Sequence, residues 1–131
     1  MVLDTHAAIW YLSDSEQLSP TARLIIKLEE GNGGPIFVSA ISLVEIIYLA
    51  ERGRVPSTAL QSLEDALGDP TGSMVIAPLD AAVATAVQKI SRAAVPDMPD
   101  RIIAATAVHL NAELVTRDHR LRAALGNRSV W

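Results

Sequence analysis

The chain has 131 residues, of which 50% are hydrophobic and 4% aromatic, and its formal net charge is −4. This length allows one domain with a sizeable core, and the acidic balance argues against broad electrostatic binding of nucleic acid. Because the chain has no cysteine, disulfides and thiolate metal sites are excluded, and any metal ion must be held by oxygen or histidine. No apolar run is long enough to span a membrane, and no basic segment of a signal peptide precedes the first apolar residues, so we expect a cytoplasmic domain.

Short strands alternate with helices through the first half of the chain. Ser19 followed by Pro20 is a favourable helix start, and glycines with a proline end this helix before the second strand. The predicted elements are a strand over 1–4, a helix over 7–12, a helix from Pro20 to the break at 31–35, a strand over 36–38, and a helix capped by Ser39 that runs through Ala50.

The second half of the chain continues the alternation. Leu60, Leu63 and Leu67 recur at the spacing of one helix face after a cap at Ser57. Helices that alternate with short apolar strands indicate right-handed crossovers and a parallel sheet covered on both faces, which is a three-layer α/β/α sandwich. The remaining predicted elements are a strand over 74–77, a helix from Asp80 with Val83, Val87 and Ile90 on one face, a helix from Asp97 that stops at Asn111, a strand over 113–116, a helix over 120–125 and an edge strand over 129–130.

Three aspartates, Asp4, Asp80 and Asp118, each follow a predicted strand and precede a helix. Aspartate is a favourable N-cap, so helix capping explains any one of these positions. In an open parallel sheet, however, the carboxyl ends of the strands face a common crevice where ligands bind. We assign Asp80 to capping and keep both interpretations open for Asp4 and Asp118.

Further acidic positions lie on predicted helices. Asp97 and Asp100 begin one helix, where either carboxylate complements the helix dipole. Glu45 lies in the second turn of the helix that starts after Ser39, among apolar neighbours. A carboxylate in such a setting must be paired or bound to a metal, and a buried salt bridge is the alternative to a metal site.

These acids come from separate elements and meet at one edge of the sheet if the first and fourth strands are adjacent. Several carboxylates cannot remain ionised side by side without cations. A site of hard oxygen ligands suits Mg²⁺ or Mn²⁺, which turn a bound water into a nucleophile and steady both oxygens of a phosphodiester displacement. The acids expected at this edge are Asp4, Glu45, Asp100 and Asp118.

Segments at separate places along the chain form an ordered pattern. They are V-L-D-T-H-A-A-I-W near the start, V-S-A-I-S-L-V-E-I in the middle, and D-M-P-D-R-I-I-A-A-T-A followed by L-V-T-R-D in the last third. Each segment alone is weakly specific, but the ordered set covers nearly the whole chain. On these segments the chain resembles the PIN-domain ribonucleases, and most closely the VapC toxins of bacterial toxin–antitoxin pairs.

The resemblance implies a fold and a role for each acid. It implies a single PIN domain over residues 1–131, with a sheet of about five parallel strands in the order 3-2-1-4-5. Thr116 matches a supporting Thr or Ser beside the last acid, and Thr5 is expected to orient the first acid. The metal ligands that it carries over are Asp4, Glu45, Asp100 and Asp118, with Asp97 as an auxiliary acid.

The activity implied by the resemblance is hydrolysis of RNA with Mg²⁺ or Mn²⁺, by in-line attack of a metal-activated water, which leaves a 5′-phosphate and a 3′-hydroxyl. From position alone, Arg101, Arg117 and Arg120 are candidate phosphate contacts. The resemblance also implies a homodimer and a cognate antitoxin that lays an amphipathic segment into an apolar groove, with DNA bound only through the antitoxin. Candidate groove residues, each of which core packing also explains, are Trp10, Tyr11, Ile47 and Tyr48.

Three other classes of protein are open from the residues alone. A phosphatase with an aspartyl nucleophile after the first strand usually needs a second Asp two residues on, where this chain has His6. A phospho-acceptor signalling domain needs a pocket lysine near the end of the chain, but Lys89 is the last lysine. A regulatory protein whose acids are all helix caps is expected to tolerate Asp100→Asn, because asparagine also caps helices.

Overall fold

Five strands form one parallel sheet. A computed structural model describes all residues from Met1 to Trp131. The strand order is 3-2-1-4-5 and every neighbouring pair is parallel, as predicted. The strands are β1 (Val2–Leu3), β2 (Ile36–Ser39), β3 (Met74–Ala77), β4 (Leu114–Val115) and β5 (Ser129–Val130). The helices are α1 (Thr5–Leu12), α2 (Pro20–Gly31), α3 (Ala40–Glu51), α4 (Thr58–Gly68), α5 (Ala81–Ala86), α6 (Met98–His109) and α7 (His119–Leu125), with 3₁₀ turns at Val87–Lys89 and Gly126–Arg128.

Helices cover both faces of the sheet, and each face has its own apolar core. Val2 and Leu3 of β1 are fully buried on opposite faces, because successive side chains of a strand alternate. Leu3 belongs to a core with α1, α2 and α4, whereas Val2 belongs to a core with α5, α6 and α7. The same alternation separates Leu114 from Val115 in β4. The predicted three-layer α/β/α sandwich is confirmed. None of the helices is both long and apolar enough to cross a membrane.

Helix caps move several boundaries from their predicted positions. β1 ends one residue early and α1 begins at Thr5 instead of Ala7, because the Asp4 carboxylate accepts a hydrogen bond from the Ala7 amide at 2.6 Å. Asp118 caps α7 in the same way, so this helix begins one residue before its predicted start. β4 is also shorter than the predicted strand over 113–116, since only 114–115 pair as a strand.

The helix predicted from Asp80 to Ile90 is α-helical only in its first part. Asp80 caps it as predicted, with Oδ1 accepting from the Val83 amide at 2.9 Å. The chain then tightens into a 3₁₀ turn. The Arg101 guanidinium donates to the carbonyls of Val87 and Ile90 at 3.2 and 2.9 Å, and the Val87 carbonyl also accepts from the Ile90 amide at 3.1 Å.

The topology brings the ends of several elements to one edge of the sheet. β1 is the central strand, and its neighbours β2 and β4 run parallel to it and end at the same edge. α3 follows β2 directly and therefore starts at this edge. α6 precedes β4 and begins at the same edge, because a crossover helix runs antiparallel to the strands it connects. Residues after β1 and β4 and in the first turns of α3 and α6 therefore share one region.

Asp80 caps α5 but does not line the cavity shared by the other acids, so its substitution tests the capping role alone. Asp80→Ala is expected to lower the free energy of unfolding by about 1 kcal/mol, because the Val83 amide loses its acceptor. Asp80→Asn is expected to retain most of that stability. Urea denaturation followed by circular dichroism measures both variants, and equal losses in the two would contradict the capping role.

Candidate active site

Acidic side chains from four parts of the fold line one cavity at the carboxyl edge of the sheet. This acidic cavity has a volume of about 220 Å³, and no hydrophobic residue lines it. The structure brings to it every residue predicted as a metal ligand, the auxiliary acid, one of the two supporting threonines and one histidine that was not predicted. The lining residues are Asp4, Thr5, His6, Glu45, Asp97, Asp100 and Asp118.

Asp4 is the most enclosed of these acids, with 8% of its surface exposed. Burial raises the pKa of its carboxyl, and hydrogen bonding to the Thr116 hydroxyl and the Ala7 amide partly offsets this rise. The two interpretations of Asp4 are therefore compatible, since the residue both caps α1 and lines the cavity.

Asp118 also caps a helix and lines the cavity. Its Oδ1 accepts hydrogen bonds from the amides of Arg120 and Leu121 at 2.7 and 3.0 Å. The buried Thr116 hydroxyl accepts from the Asp118 amide at 3.0 Å, and the same hydroxyl influences the Asp4 carboxyl. Thr116 thus connects the two strand-end acids, although it does not itself line the cavity.

The Glu45 carboxylate accepts a hydrogen bond from a side chain of α1. The Thr5 hydroxyl donates to Glu45 Oε2 and also hydrogen-bonds the Ser42 hydroxyl at 2.9 Å. Burial raises the pKa of Glu45, the Thr5 hydrogen bond opposes this rise, and the charge of Asp97 adds to it. Thr5 was expected to orient the first acid, but its hydroxyl instead contacts the acid on α3.

Asp100 is the acid most affected by its neighbours. Burial, followed by repulsion from Asp97, Asp118, Glu45 and Asp4, raises its pKa to about 7. Asp97 occupies the N-cap position of α6 but makes no side-chain capping bond. Capping therefore explains neither of these two acids, although Asp100 remains in the first turn, where the helix dipole favours negative charge.

No ion pair neutralises this group of acids. The chain's ion pairs lie elsewhere, between the Met1 amino group and Glu29 and between Arg23 and Asp14. A buried salt bridge, the alternative considered for Glu45, is therefore absent. The hard oxygen donors fit Mg²⁺ or Mn²⁺, but no three acidic or histidine side chains form a ready-made metal cluster. Mg²⁺ commonly keeps several waters and binds few carboxylates, so the cavity fits an ion held partly through water.

A second cavity opens beside the acidic one and shares Asp4, His6 and Asp118 with it. This cationic cavity has a volume of about 340 Å³ and is also lined by Trp10, Arg117 and His119. Sequence reasoning missed His6 and His119 as site residues. The available signal was their position, because each lies within two residues of a strand-end acid.

The three arginines proposed as phosphate contacts occupy different settings. Arg117 lines the cationic cavity, with its guanidinium carbon 4.5 Å from the centroid of the Trp10 ring. Arg101 is half-buried and committed to backbone carbonyls of the preceding segment. Arg120 is exposed but lines none of the cavities at this edge. Of the three, the geometry favours Arg117 as a contact.

An apolar cavity of about 440 Å³ lies on the other side of the acids and shares Glu45 and Asp97 with the acidic cavity. Its lining includes Val44, Tyr48 and Met98, which are 46%, 57% and 65% exposed. Apolar side chains left uncovered to this extent mark a surface suited to a protein partner.

The groove predicted from Trp10, Tyr11, Ile47 and Tyr48 is wrong as a single surface. Tyr48 lines the apolar cavity and Ile47 is exposed on the same helix. Trp10 instead belongs to the core around Leu3 and forms part of the cationic cavity. Tyr11 packs against the same core and donates its hydroxyl to Glu30 at 2.6 Å, so α1 and α3 do not form one apolar groove.

Comparison with known proteins establishes the family. The model of the PIN domain matches residues 1–125, and the chain therefore belongs to the PIN-domain family. A curated relative from Mycobacterium tuberculosis, Ribonuclease VapC22, is 33% identical over 100% of this chain and 98% of its own length.

Solved structures share the fold at low sequence identity. VapBC2 from Rickettsia felis, bound to a DNA fragment from its promoter, matches with a TM-score of 0.68 and 17% identity over 99% of this chain and 96% of that chain. A toxin–antitoxin complex from Klebsiella pneumoniae matches with a TM-score of 0.66 and 20% identity over 99% and 95%. FitAcB from Neisseria gonorrhoeae matches with a TM-score of 0.61 and 21% identity over 100% and 97%.

The raised pKa of Asp100 predicts how stability depends on pH when metal is absent. This carboxyl ionises near pH 7 in the folded chain against an ordinary value of 3.8, so between these values the folded state binds a proton that the unfolded state has lost. Binding of this proton stabilises the folded state at the acidic end of this range, and the stabilisation is lost as the pH rises through about 7.

Asp100→Asn removes the titrating carboxyl and its repulsion. At about pH 8 in EDTA we expect the free energy of unfolding of this variant to exceed that of the wild type by about 1–2 kcal/mol, so the variant is the more stable protein. This value is reduced for solvent screening, because the carboxyl is half-exposed. Urea denaturation at a series of pH values measures the effect, with Asp80→Asn as the control whose pH profile follows the wild type. A lower stability of Asp100→Asn at alkaline pH would contradict the prediction.

Proposed function

We propose that this chain is a metal-dependent endoribonuclease of the VapC type. The observation that carries the proposal is the acidic cavity, where carboxylates from α3, α6 and the ends of β1 and β4 converge without an ion pair. Membership of the PIN-domain family and the name of the Mycobacterium relative, a ribonuclease, support RNA as the substrate. We take residues 1–131 as one catalytic domain.

Mg²⁺ or Mn²⁺ is the proposed cofactor. When bound, such an ion supplies an acidified water for attack on the phosphodiester and positive charge beside its oxygens. The carboxylate oxygens of the proposed ligands and the mutual repulsion of the acids support this assignment. The proposed ligands are Asp4, Glu45, Asp100 and Asp118, with Asp97 as an auxiliary acid.

Hydrogen bonds from the protein hold three of the four proposed ligands in place. Helix amides fix Asp4 and Asp118 at the starts of α1 and α7, and the Thr5 hydroxyl fixes Glu45. The Thr116 hydroxyl hydrogen-bonds the Asp4 carboxyl and accepts from the Asp118 amide, and it does so from outside the cavity lining. These contacts restrict the carboxylate rotamers before substrate arrives, so less conformational entropy is lost when the reacting groups assemble.

A protein partner is the second part of the proposed function. The structural neighbours include toxin–antitoxin complexes, and we propose that a cognate antitoxin neutralises this chain. The apolar cavity supports this proposal, because its exposed apolar residues adjoin the acids and could receive an amphipathic segment. We further propose a cytoplasmic homodimer that contacts DNA only through the antitoxin.

The enzyme and signalling alternatives lack the groups that they need. The position where an aspartyl phosphatase carries its second Asp is His6, which is exposed at the mouth of the cavity. Lys89, the last lysine, lies in the 3₁₀ turn after α5 and lines neither the acidic nor the cationic cavity. A protein whose acids are all caps is excluded by Asp97, which makes no side-chain capping bond, and by Glu45, which lies inside α3.

Cleavage of total bacterial RNA tests the proposed function. With Mg²⁺ or Mn²⁺ the wild type is expected to make discrete cuts that sequencing of the new ends locates, and EDTA should abolish them. Asp4→Asn should reduce the cleavage rate by about 100-fold or more, because a neutral amide is a poorer ligand for a hard cation. Asparagine still caps α1, so the variant should remain folded.

Asp80→Asn is the matched control, because it changes an N-cap aspartate that lies outside the acidic cavity. It should cleave as the wild type does. Cuts that persist in EDTA, or that Asp4→Asn makes at the wild-type rate, would contradict the proposal.

A further inference from the structure

The basic residues that line the cationic cavity have no role in the metal chemistry described above. Its donors are Arg117, His6 and His119, which are exposed and take part in no ion pair. Arg117 supplies a permanent positive charge and a fork of N–H donors suited to phosphate oxygens. The two imidazoles supply further donors around the same space. Groups of this chemistry gathered beside a nuclease site form a receptor for an anion.

Trp10 holds the donors of this cavity in place. The Arg117 guanidinium carbon lies 4.5 Å from the centroid of the indole ring, and the His6 ring lies 5.4 Å away. Trp10 is itself 8% exposed and is packed edge-on by Trp131 at 5.8 Å. A cation held over a fixed aromatic face loses less conformational freedom on binding than a free arginine does.

The two flanks of the acidic cavity differ in what they can accept. On one side, the apolar cavity presents two carboxylates, exposed apolar groups and a single basic residue, Arg52. On the other side, the cationic cavity presents Arg117 and two histidines, and it shares Asp4 and Asp118 with the acids. A polyanionic strand that places one phosphodiester at the acids therefore meets more basic and hydrogen-bond-donating groups on the flank with Arg117 and two imidazoles than on the flank where Arg52 is the only basic residue.

We propose that the cationic cavity is the subsite for a phosphodiester of the RNA strand next to the one that is cut. Arg117 contacts that phosphate with help from His6 and His119, and Trp10 is a positioning residue that acts through Arg117. The inference rests on the proposed ribonuclease function. It adds that the RNA strand continues from the acidic cavity into the cationic cavity.

The test measures RNA binding in an Asp100→Asn background, which prevents cleavage during the measurement. Fluorescence anisotropy with a short, labelled single-stranded RNA of mixed sequence gives the dissociation constant over a series of KCl concentrations with Mg²⁺ present. Arg117→Gln is expected to weaken binding about tenfold, since a charged hydrogen bond is lost. It should also reduce the slope of log K against log salt by about 0.7, the value for one phosphate contact on a single strand.

Arg122→Gln is the matched control, because it removes an exposed arginine of α7 that lines neither the acidic nor the cationic cavity. It should leave both the affinity and the salt slope near those of the parent. Trp10→Leu should weaken binding as Arg117→Gln does, but should add little when combined with Arg117→Gln. Thermal unfolding by circular dichroism verifies that each variant is folded.

The outcomes separate this inference from the proposed function. If the wild type cuts RNA and Arg117→Gln binds no differently from Arg122→Gln, the subsite is overturned and the ribonuclease proposal stands. If Trp10→Leu weakens binding equally with and without Arg117, the positioning role of Trp10 is overturned. If the wild type neither cuts nor binds RNA, both proposals fall.

Discussion

The structure depends on one electrostatic constraint, which is that carboxylates from different elements are enclosed together without an ion pair. The effect is visible in the raised pKa values of Asp4, Glu45 and Asp100, for which burial is the largest cause in each case. A fold selected only for stability gains nothing from this arrangement, since a desolvated carboxylate without an opposite charge beside it is costly. Such a cost is retained where a site needs it, and the proposed cation would offset it by supplying positive charge.

The parallel sheet creates this arrangement with few residues. β1 and β4 are adjacent and only two residues long, and the acids that follow them, Asp4 directly and Asp118 after two residues, each stand immediately before a helix. Asp4 and Asp118 then accept hydrogen bonds from the first turns of α1 and α7. The same contacts that start the helices thereby orient the carboxylates, so helix capping and site geometry share residues.

Much of this was predictable from the sequence, because it follows from local patterns. The strand order, the sandwich and the capping by Asp80 follow from alternation, crossover rules, family resemblance and N-cap preference. The convergence of the acids on one cavity also follows from their positions after strands and at helix starts. Helix starts were displaced by a residue or two, because a capping aspartate does not indicate whether the chain turns before or after it.

Side-chain contacts between distant segments were not predictable. Nothing local indicates that Arg101 satisfies carbonyls of the 3₁₀ turn, or that Thr5 bonds Glu45 across α1 and α3. The proposed groove failed for a related reason, since Trp10 and Tyr48 have similar local sequences but lie on different sides of the acids. Only the packing of α1 against the core decides that Trp10 supports Arg117.

The melting temperature of the wild type near neutral pH, measured while Mg²⁺ or Mn²⁺ is added, tests most directly whether a cation relieves the acidic cavity. Binding to the folded state alone should raise the melting temperature progressively with ion concentration. Asp4→Asn should respond much less, and KCl at matched ionic strength should separate screening from specific binding. A wild-type melting temperature that responds no more to either divalent ion than to matched KCl would contradict the proposed metal site.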